Sequence, residues 1–225
     1  MLAGGSCSLA ALQAAAALRN LASNNTANQH KIRSVGGIDA LVALLRGGPS
    51  SVAAQKAAGA LRNLASNSTN QDAIREAGGI LPLVHMLEPG APAEAIQQAA
   101  GALRNLAANH VANKNAIRND GGIRALVIML RSGVQTEPSQ QVAGAIWSLA
   151  ANNTTNQDAI REEGGLTPLV ALLSGGGESM AAQKAAGALA NLASNPINKG
   201  APSHWQVSDL ACAMLALCCC RKVSA

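Results

Sequence analysis

One phrase of eleven residues returns along the chain, and its spacing leaves few folds open to it. It reads AAAALRNLASN from Ala14, AAGALRNLASN from Ala57, AAGALRNLAAN from Ala99, VAGAIWSLAAN from Val142 and AAGALANLASN from Ala185. Its polar landmark falls on Asn20, Asn63, Asn105, Ser148 and Asn191, at intervals of 43, 42, 43 and 43 residues. A fixed period of this size marks an array in which each unit covers the apolar face of its neighbour. The 225 residues therefore make one elongated stack rather than one or two globules.

The phrase is a helix, and at 3.6 residues per turn its faces can be sorted. Ala54, Ala57, Ala58, Leu61 and Leu64 share one apolar side, while Gln55, Lys56, Gly59, Arg62 and Asn63 are expected on the solvent side. Alanine favours helix and lets neighbouring helices approach closely.

Around the phrase a second and third element recur. Asn28 to Val35, and the later copies NQDAIREAGG, NKNAIRNDGG and NQDAIREEGG, each read as a short helix ended by a double glycine at 36/37, 78/79, 121/122 and 164/165. IDALVALLR, LPLVHML, RALVIML and LTPLVALL then follow as apolar middle helices, with Pro82 and Pro168 in first turns where the missing N–H is harmless. Each unit is thus short helix, glycine corner, middle helix, loop and long helix. The all-α array is expected over residues 8–195, as about four complete units behind a partial first one whose helix begins near Ser8. Residues 196–225 form a divergent tail or a degenerate capping helix near Val207 to Cys220. Neither end shows a polar cap, so fraying or self-association is expected there.

Composition removes several classes of function. Charged residues are only 13% and the net charge of +5 is modest, while Phe and Tyr are absent and Trp147 and Trp205 are the only aromatic residues, so nothing offers a stacking platform for nucleic acid. No apolar run is long enough to span a bilayer. Met1 to Ala22 imitates a signal peptide but lacks a basic start and lies in register through Asn20, so it reads as a repeat helix. The five cysteines, four of them at Cys212 and Cys218 to Cys220, do not resemble a disulfide framework. A reducing compartment is expected, the cytoplasm first and the nucleus second. Acylation of Cys218 to Cys220, beside Arg221 and Lys222, is the one route to a membrane.

No catalytic constellation is visible. His30, His85, His110 and His204 are scattered, and Glu76, Glu162 and Glu163 stand at solvated helix ends beside the glycine corners. Neither enzyme, cofactor nor metal is expected. The Asn-x-Ser/Thr triplets at Asn24, Asn67, Asn152 and Asn153 recur with the period, which points to helix capping and turns rather than glycosylation.

The joint pattern N-x-x-A-I-x-x-x-G-G-x-x-x-L-V-x-L-L, running from Asn70 and closed by a small-residue helix ending A-L-x-N-L-A, resembles the armadillo repeat family over residues 9 to 195. Catenin-like and vacuolar-armadillo-like scaffolds are the members it resembles in character, and HEAT repeats are the nearest competitor, without this three-helix pattern. The resemblance implies a right-handed superhelical solenoid whose third helices line a concave groove. It also implies that Asn20, Asn63, Asn105 and Asn191, with Ser148 as a shorter substitute, hold the backbone of an extended peptide.

Flanking residues sharpen the expected ligand. Importin-α-like members place Trp four residues before the Asn, where this chain has Ala16, Gly59, Gly101, Gly144 and Gly187. Arg19, Arg62 and Arg104 directly precede three of the asparagines, Trp147 precedes Ser148, Lys56 and Lys184 lie seven before two of them, and no acid is read on this face. The groove is therefore expected to take an extended acidic or phosphorylated segment of a protein partner, with Gly59, Gly101 and Gly144 leaving room for bulky ligand side chains. A nuclear-import adaptor would need an acidic, Trp-lined groove and an importin-β-binding arm, and a ubiquitin-ligase fragment would need an adjoining U-box or F-box.

Overall fold

Fourteen helices and no strand make up the described part of the protein, residues 5–132, 137–176 and 179–199 of the computed structural model. A long helix α1 (Gly5–Ala22) leads. Four triplets follow: α2 (Thr26–Ser34), α3 (Gly37–Leu45) and α4 (Val52–Leu64); α5 (Ser68–Glu76), α6 (Ile80–His85) and α7 (Ala93–Ala107); α8 (Val111–Asn119), α9 (Gly122–Ser132) and α10 (Glu137–Ala150); α11 (Thr154–Glu162), α12 (Leu166–Leu173) and α13 (Met180–Leu192). A single turn, α14 (Pro196–Lys199), begins a further unit. The expected helix near Val207 to Cys220, the cysteines there and His204 lie outside the described residues. No helix among the described residues is long and apolar enough to cross a membrane.

The long helices α1, α4, α7, α10 and α13 pack in one unbroken row, while the middle helices α3, α6, α9 and α12 touch one another far less. Elements crowded on one side and splayed on the other curve the array, so the long helices form its inner, concave face. Their close approach depends on alanine: Ala57, Ala60, Ala99, Ala102, Ala143 and Ala145 are fully buried between leucines that are equally buried, Leu61, Leu64, Leu103 and Leu106. Gln55 and Gly59 do not lie on the solvent side as the wheel suggested. Both are buried, because the neighbouring repeats cover a wider arc of the helix than its apolar stripe.

Each glycine of a corner pair has its own reason. Gly36, Gly78, Gly121 and Gly164 adopt φ of +70 to +79°, which an L side chain rarely tolerates. Their followers are not left-handed. A Cβ on Gly122 would lie 2.6 Å from Ile117 Cγ2 and 2.8 Å from the Ile117 carbonyl oxygen, and Gly37, Gly79 and Gly165 meet Ile32, Ile74 and Ile160 in the same way. The first glycine turns the chain and the second lets the middle helix start against the isoleucine of the short one.

The uneven period has a local cause. Asn24, Asn109 and Asn152 hold φ of +50 to +54°, a region that Asn enters more readily than most residues, and the next residue caps the following helix. Asn25 and Asn153 accept from the backbone N–H of Asn28 and Asn156, both at 3.0 Å. After α4 and α13 the left-handed residue is missing, and the caps Asn67 and Asn195 accept from a nearer N–H, that of Thr69 or Ile197. Of the sequon asparagines, Asn67 and Asn153 are thus helix caps and Asn24 and Asn152 are turn residues. His110 takes the cap of α8, with Nδ1 accepting from Asn113 N–H at 3.3 Å and Nε2 lying 3.1 Å from the Asp72 carboxylate.

Helix C-termini leave carbonyls without intrahelical partners, and the short helices supply donors to them. The buried amides of Asn70, Asn113 and Asn156 donate to the carbonyls of Leu64, Leu106 and Leu149, and Gln29, Gln71 and Gln157 donate to those of Ala22, Ala65 and Ala150. Gln71 reaches on to the Asn105 carbonyl of the next repeat at 2.8 Å. Lys114 stands where the others have Gln and donates to the Ala151 carbonyl; burial pushes its ammonium below the ordinary lysine value. Arg75 and Arg118 tie successive repeats by donating to Asn113 Oδ1 and Asn156 Oδ1 at 3.1 and 2.8 Å.

Truncating Leu103 to Ala, at the centre of this row, is expected to cost about 2–5 kcal/mol in urea unfolding. Gly122→Ala is expected to cost about 1–3 kcal/mol, since its methyl meets backbone as well as side chain. Far-ultraviolet circular dichroism should stay strongly helical in both.

Candidate functional site

Along each long helix the positions eleven, seven and four residues before the landmark asparagine fall with it on one stripe, within about 40° by helix geometry. In α7 these are Glu94, Gln98, Gly101 and Asn105. The residue just before the asparagine is turned about 100° aside, toward the next repeat. That rotation sets the geometry of the inner face.

Arg19, Arg62, Arg104 and Trp147 each reach across to lie on the glycine of the following long helix. A Cβ on Gly59 would stand 3.0 Å from Arg19 Cδ, one on Gly101 2.7 Å from Arg62 Cδ, one on Gly144 3.0 Å from Arg104 Cδ, and one on Gly187 3.1 Å from the Trp147 ring. The space expected for bulky ligand side chains at Gly59, Gly101 and Gly144 is therefore already filled. The glycines admit the protein's own long side chains, which a methyl group would lift from their seats.

The asparagines form a ladder. Asn63 donates to the Arg19 carbonyl at 2.9 Å, Asn105 to the Arg62 carbonyl at 2.8 Å and Asn191 to the Trp147 carbonyl at 3.1 Å. Each amide caps a carbonyl in the last turn of the preceding long helix. Ser148 is too short for this, and among the described residues no bond joins it to the Arg104 carbonyl. Asn20 is exposed, and none of the described bonds links its side chain to another helix.

The arginines are not electrically alike. Burial lowers the pKa of Arg62 first, the charge of Arg19 lowers it further, and Glu94 opposes both; Arg104 is lowered by burial and then by Arg62. Glu94 is an acid that the face reading missed. Its Oε1 lies 3.7 Å from Arg19 Nη1 and accepts from Gln98 Nε2 at 3.2 Å, while Gln98 Oε1 accepts from Arg62 Nη1 at 3.4 Å. Arg104 is in none of the ion pairs among the described residues, and donates through Nε and Nη2 to Asn105 Oδ1 at 3.3 and 3.2 Å. Lys184 brings Nζ to 4.7 Å from the Trp147 ring centroid, a cation–π contact, and the indole remains 39% exposed. Lys56 lies half-buried on α4, one turn before Gly59. No group of three or more His, Cys, Asp or Glu able to hold a metal ion occurs among the described residues.

The sequence-derived residues thus do share one face, but two were overlooked. Glu94 and Gln98 were legible as the continuation of the stripe, eleven and seven residues before Asn105. Their partners were not, since Arg19 is remote in sequence and only the stacking of repeats brings it close.

Triplets of helices stacked with their long helices inward define a right-handed superhelical solenoid. The armadillo/β-catenin-like repeat profile matches residues 25–66, 67–108 and 153–194. The chain belongs to the armadillo repeat family. The unit outside those matches is the one that carries Lys114, Trp147 and Ser148. An engineered protein of known crystal structure is 30% identical, with 96% of this chain and 92% of that chain covered and a TM-score of 0.80. A designed armadillo repeat protein is 26% identical over 92% of this chain and 91% of that chain, with a TM-score of 0.76. Another, solved in complex with the peptide (KR)4, is 26% identical over 96% of each chain, with a TM-score of 0.73. No curated protein sequence matches the chain.

Removing the Asn105 amide leaves the Arg62 carbonyl without its donor, so Asn105→Ala is expected to lower stability by about 1 kcal/mol. Asn20→Ala should change it by less than about 0.5 kcal/mol. Parallel urea titrations of the two variants check the ladder.

Proposed function

We propose that the protein is a non-enzymatic scaffold of the cytoplasm or nucleus whose concave face binds an extended acidic or phosphorylated peptide of a protein partner. The observation that carries this reading is the row Arg19, Arg62 and Arg104, seated on the glycines of successive repeats. Three guanidinium groups held in file, two of them half-buried and each lowered in pKa by burial and then by the arginine of the preceding repeat, favour the arrival of anionic groups. Arginine suits carboxylates and phosphates through its paired donors. The designed armadillo protein solved with (KR)4 accompanies a basic peptide. Here the arginine row carries the sign of that peptide, so its complement is acidic.

The asparagine ladder supports an extended ligand in a restricted way. One amide hydrogen of Asn63, Asn105 and Asn191 is already given to the preceding helix, which leaves the other hydrogen and the side-chain oxygen for a ligand backbone. In Asn105 that oxygen also accepts from Arg104, so a ligand that draws Arg104 away releases it.

Replacing Arg62 and Arg104 together by Glu is expected to weaken acidic peptides by about tenfold or more, since hydrogen bonds to charged groups contribute about 1.5–3 kcal/mol. The helical signal and unfolding midpoint should be retained. Binding should also fall with salt, because exposed charges are screened over about 10 Å at 0.1 M. Isothermal titration with acidic, neutral and basic peptides of one length is the measurement. Tighter binding of the basic peptide, unimproved by the double replacement, would sink the assignment and favour an import-type groove.

A further inference from the structure

Seven residues before the landmark, the inner stripe carries Gln98 in α7 and Gln141 in α10, and both are buried. Each stands three residues before the glycine on which an arginine of the preceding long helix lies, Arg62 on Gly101 and Arg104 on Gly144. Positions three apart are neighbours on a helix surface. Both glutamines therefore stand beside the seat of an arginine.

The two pairs differ in how the arginine is turned. Arg62 donates through Nη1 to Gln98 Oε1 at 3.4 Å, and its Nε and Nη2 enter none of the bonds among the described residues. Arg104 gives Nε and Nη2 to Oδ1 of Asn105, at 3.3 and 3.2 Å, while the buried Gln141 Oε1 has no hydrogen-bond partner. A buried acceptor without a donor is costly, and native structures seldom leave one. The missing donor is close by: Arg104 Nη1 lies 3.9 Å from the point that a Cβ on Gly144 would occupy, three residues along α10 from Gln141.

Which edge of the guanidinium is committed decides what it can bind. Two N–H groups on one edge make the parallel bonds that a carboxylate or phosphate accepts, and charge-assisted bonds of that kind run to about 2.7–2.9 Å. In Arg104 the Nε and Nη2 edge is spent on a single neutral oxygen at longer distance. In Arg62, tethered at its Nη1 corner, the corresponding edge is uncommitted among the described bonds.

Resting on the acidic-ligand reading above, we propose that Gln141 is a positioning residue of the groove: when an oxyanion of the ligand arrives, Arg104 leaves Asn105, gives Nη1 to Gln141 Oε1 and presents its Nε and Nη2 edge to that carboxylate or phosphate. One movement then satisfies three groups. Gln141 gains its donor, the anion gains two parallel bonds, and Asn105 Oδ1 is released to accept a backbone N–H of the extended segment. Arg62 on Gln98 is the standing form of the same arrangement, and Arg104 is the form that assembles around its ligand. Gln141 touches no ligand atom and acts through the arginine alone.

The test uses the full chain and labelled peptides of one length whose central residue is phosphoserine, aspartate or asparagine, the tighter of the first two naming the oxyanion. Gln141→Met keeps the length of the side chain and removes the acceptor. In fluorescence anisotropy it should lower affinity for the phosphoserine and aspartate peptides by about three- to tenfold and leave the asparagine peptide unchanged. Its urea midpoint should be retained or raised, because an unpaired buried acceptor has gone. In an Arg104→Ala background the same replacement should cost no affinity, since the effect runs through the guanidinium. In isotope-labelled wild-type protein, the assigned side-chain amide signal of Gln141 should shift on adding the acidic peptides, and in Arg104→Ala it should stay still. Undiminished acidic binding by Gln141→Met, an equal loss in the Arg104→Ala background, or an unmoved Gln141 signal at saturation would overturn the inference and leave the acidic-ligand reading standing. Should wild-type protein bind the asparagine peptide as tightly as the acidic ones, that broader reading fails and this inference falls with it.

Discussion

Every long helix in this array ends in carbonyls that its own backbone cannot satisfy, and the rest of the structure follows from how they are capped. Two sources of donors converge on the ends of α1, α4 and α10. Within the unit that follows, Asn and Gln of the short helix take the carbonyls of the last turn; across the inner face, the landmark Asn of the next long helix takes the carbonyl before its own counterpart. A buried carbonyl left unpaired costs more than an ordinary hydrogen bond contributes. Periodic amides are therefore a requirement of stacking before they are a feature of binding, and the sequence repeats them because each repeat must close the one before it.

This places the asparagine row in two roles at once. Its members face the concave side, where a bound chain would lie, and they hold adjacent repeats together. A loss of ligand in an asparagine variant is thus ambiguous unless stability is measured beside it, whereas the arginines are clean probes because their head groups cap no helix. Where Ser148 replaces Asn, the rung to the Arg104 carbonyl is gone. The same unit has Trp147 for Arg and Lys114 for Gln, so the departures from the repeat gather around one joint, between α7 and α10 on one side and α13 on the other.

Much of the fold was legible because it depends on relations inside one unit. The period, the double glycines and the alternation of short, middle and long helices all follow from local pattern, and the left-handed asparagines explain why one interval is 42 and not 43. What sequence reading missed lies between units. The wheel put Gly59 toward solvent, since nothing in α4 covers it; Arg19, forty residues earlier, does. Glu94 lay on the legible stripe, but its meaning came from an arginine two repeats away.

The glycine four residues before each landmark from Asn63 onward shows how one position sets the chemistry of the whole face. Import-type armadillo repeats, which this chain resembles in its ladder, fill that position with tryptophan from the same helix. A side chain there would occupy the seat on which the preceding repeat lays its own. With glycine the seat is open, and the residue beside each asparagine, turned aside by about 100°, can lie flat across the joint. The inner face then takes its character from that residue: cationic at Arg19, Arg62 and Arg104, aromatic at Trp147, and without a long side chain at Ala190. A glycine to alanine change at Gly101 leaves every charged group in the chain intact, yet it lifts Arg62 from its seat and disturbs the bond to Gln98 that ties it to Glu94. The position without a side chain thus decides where the charges of its neighbours come to rest.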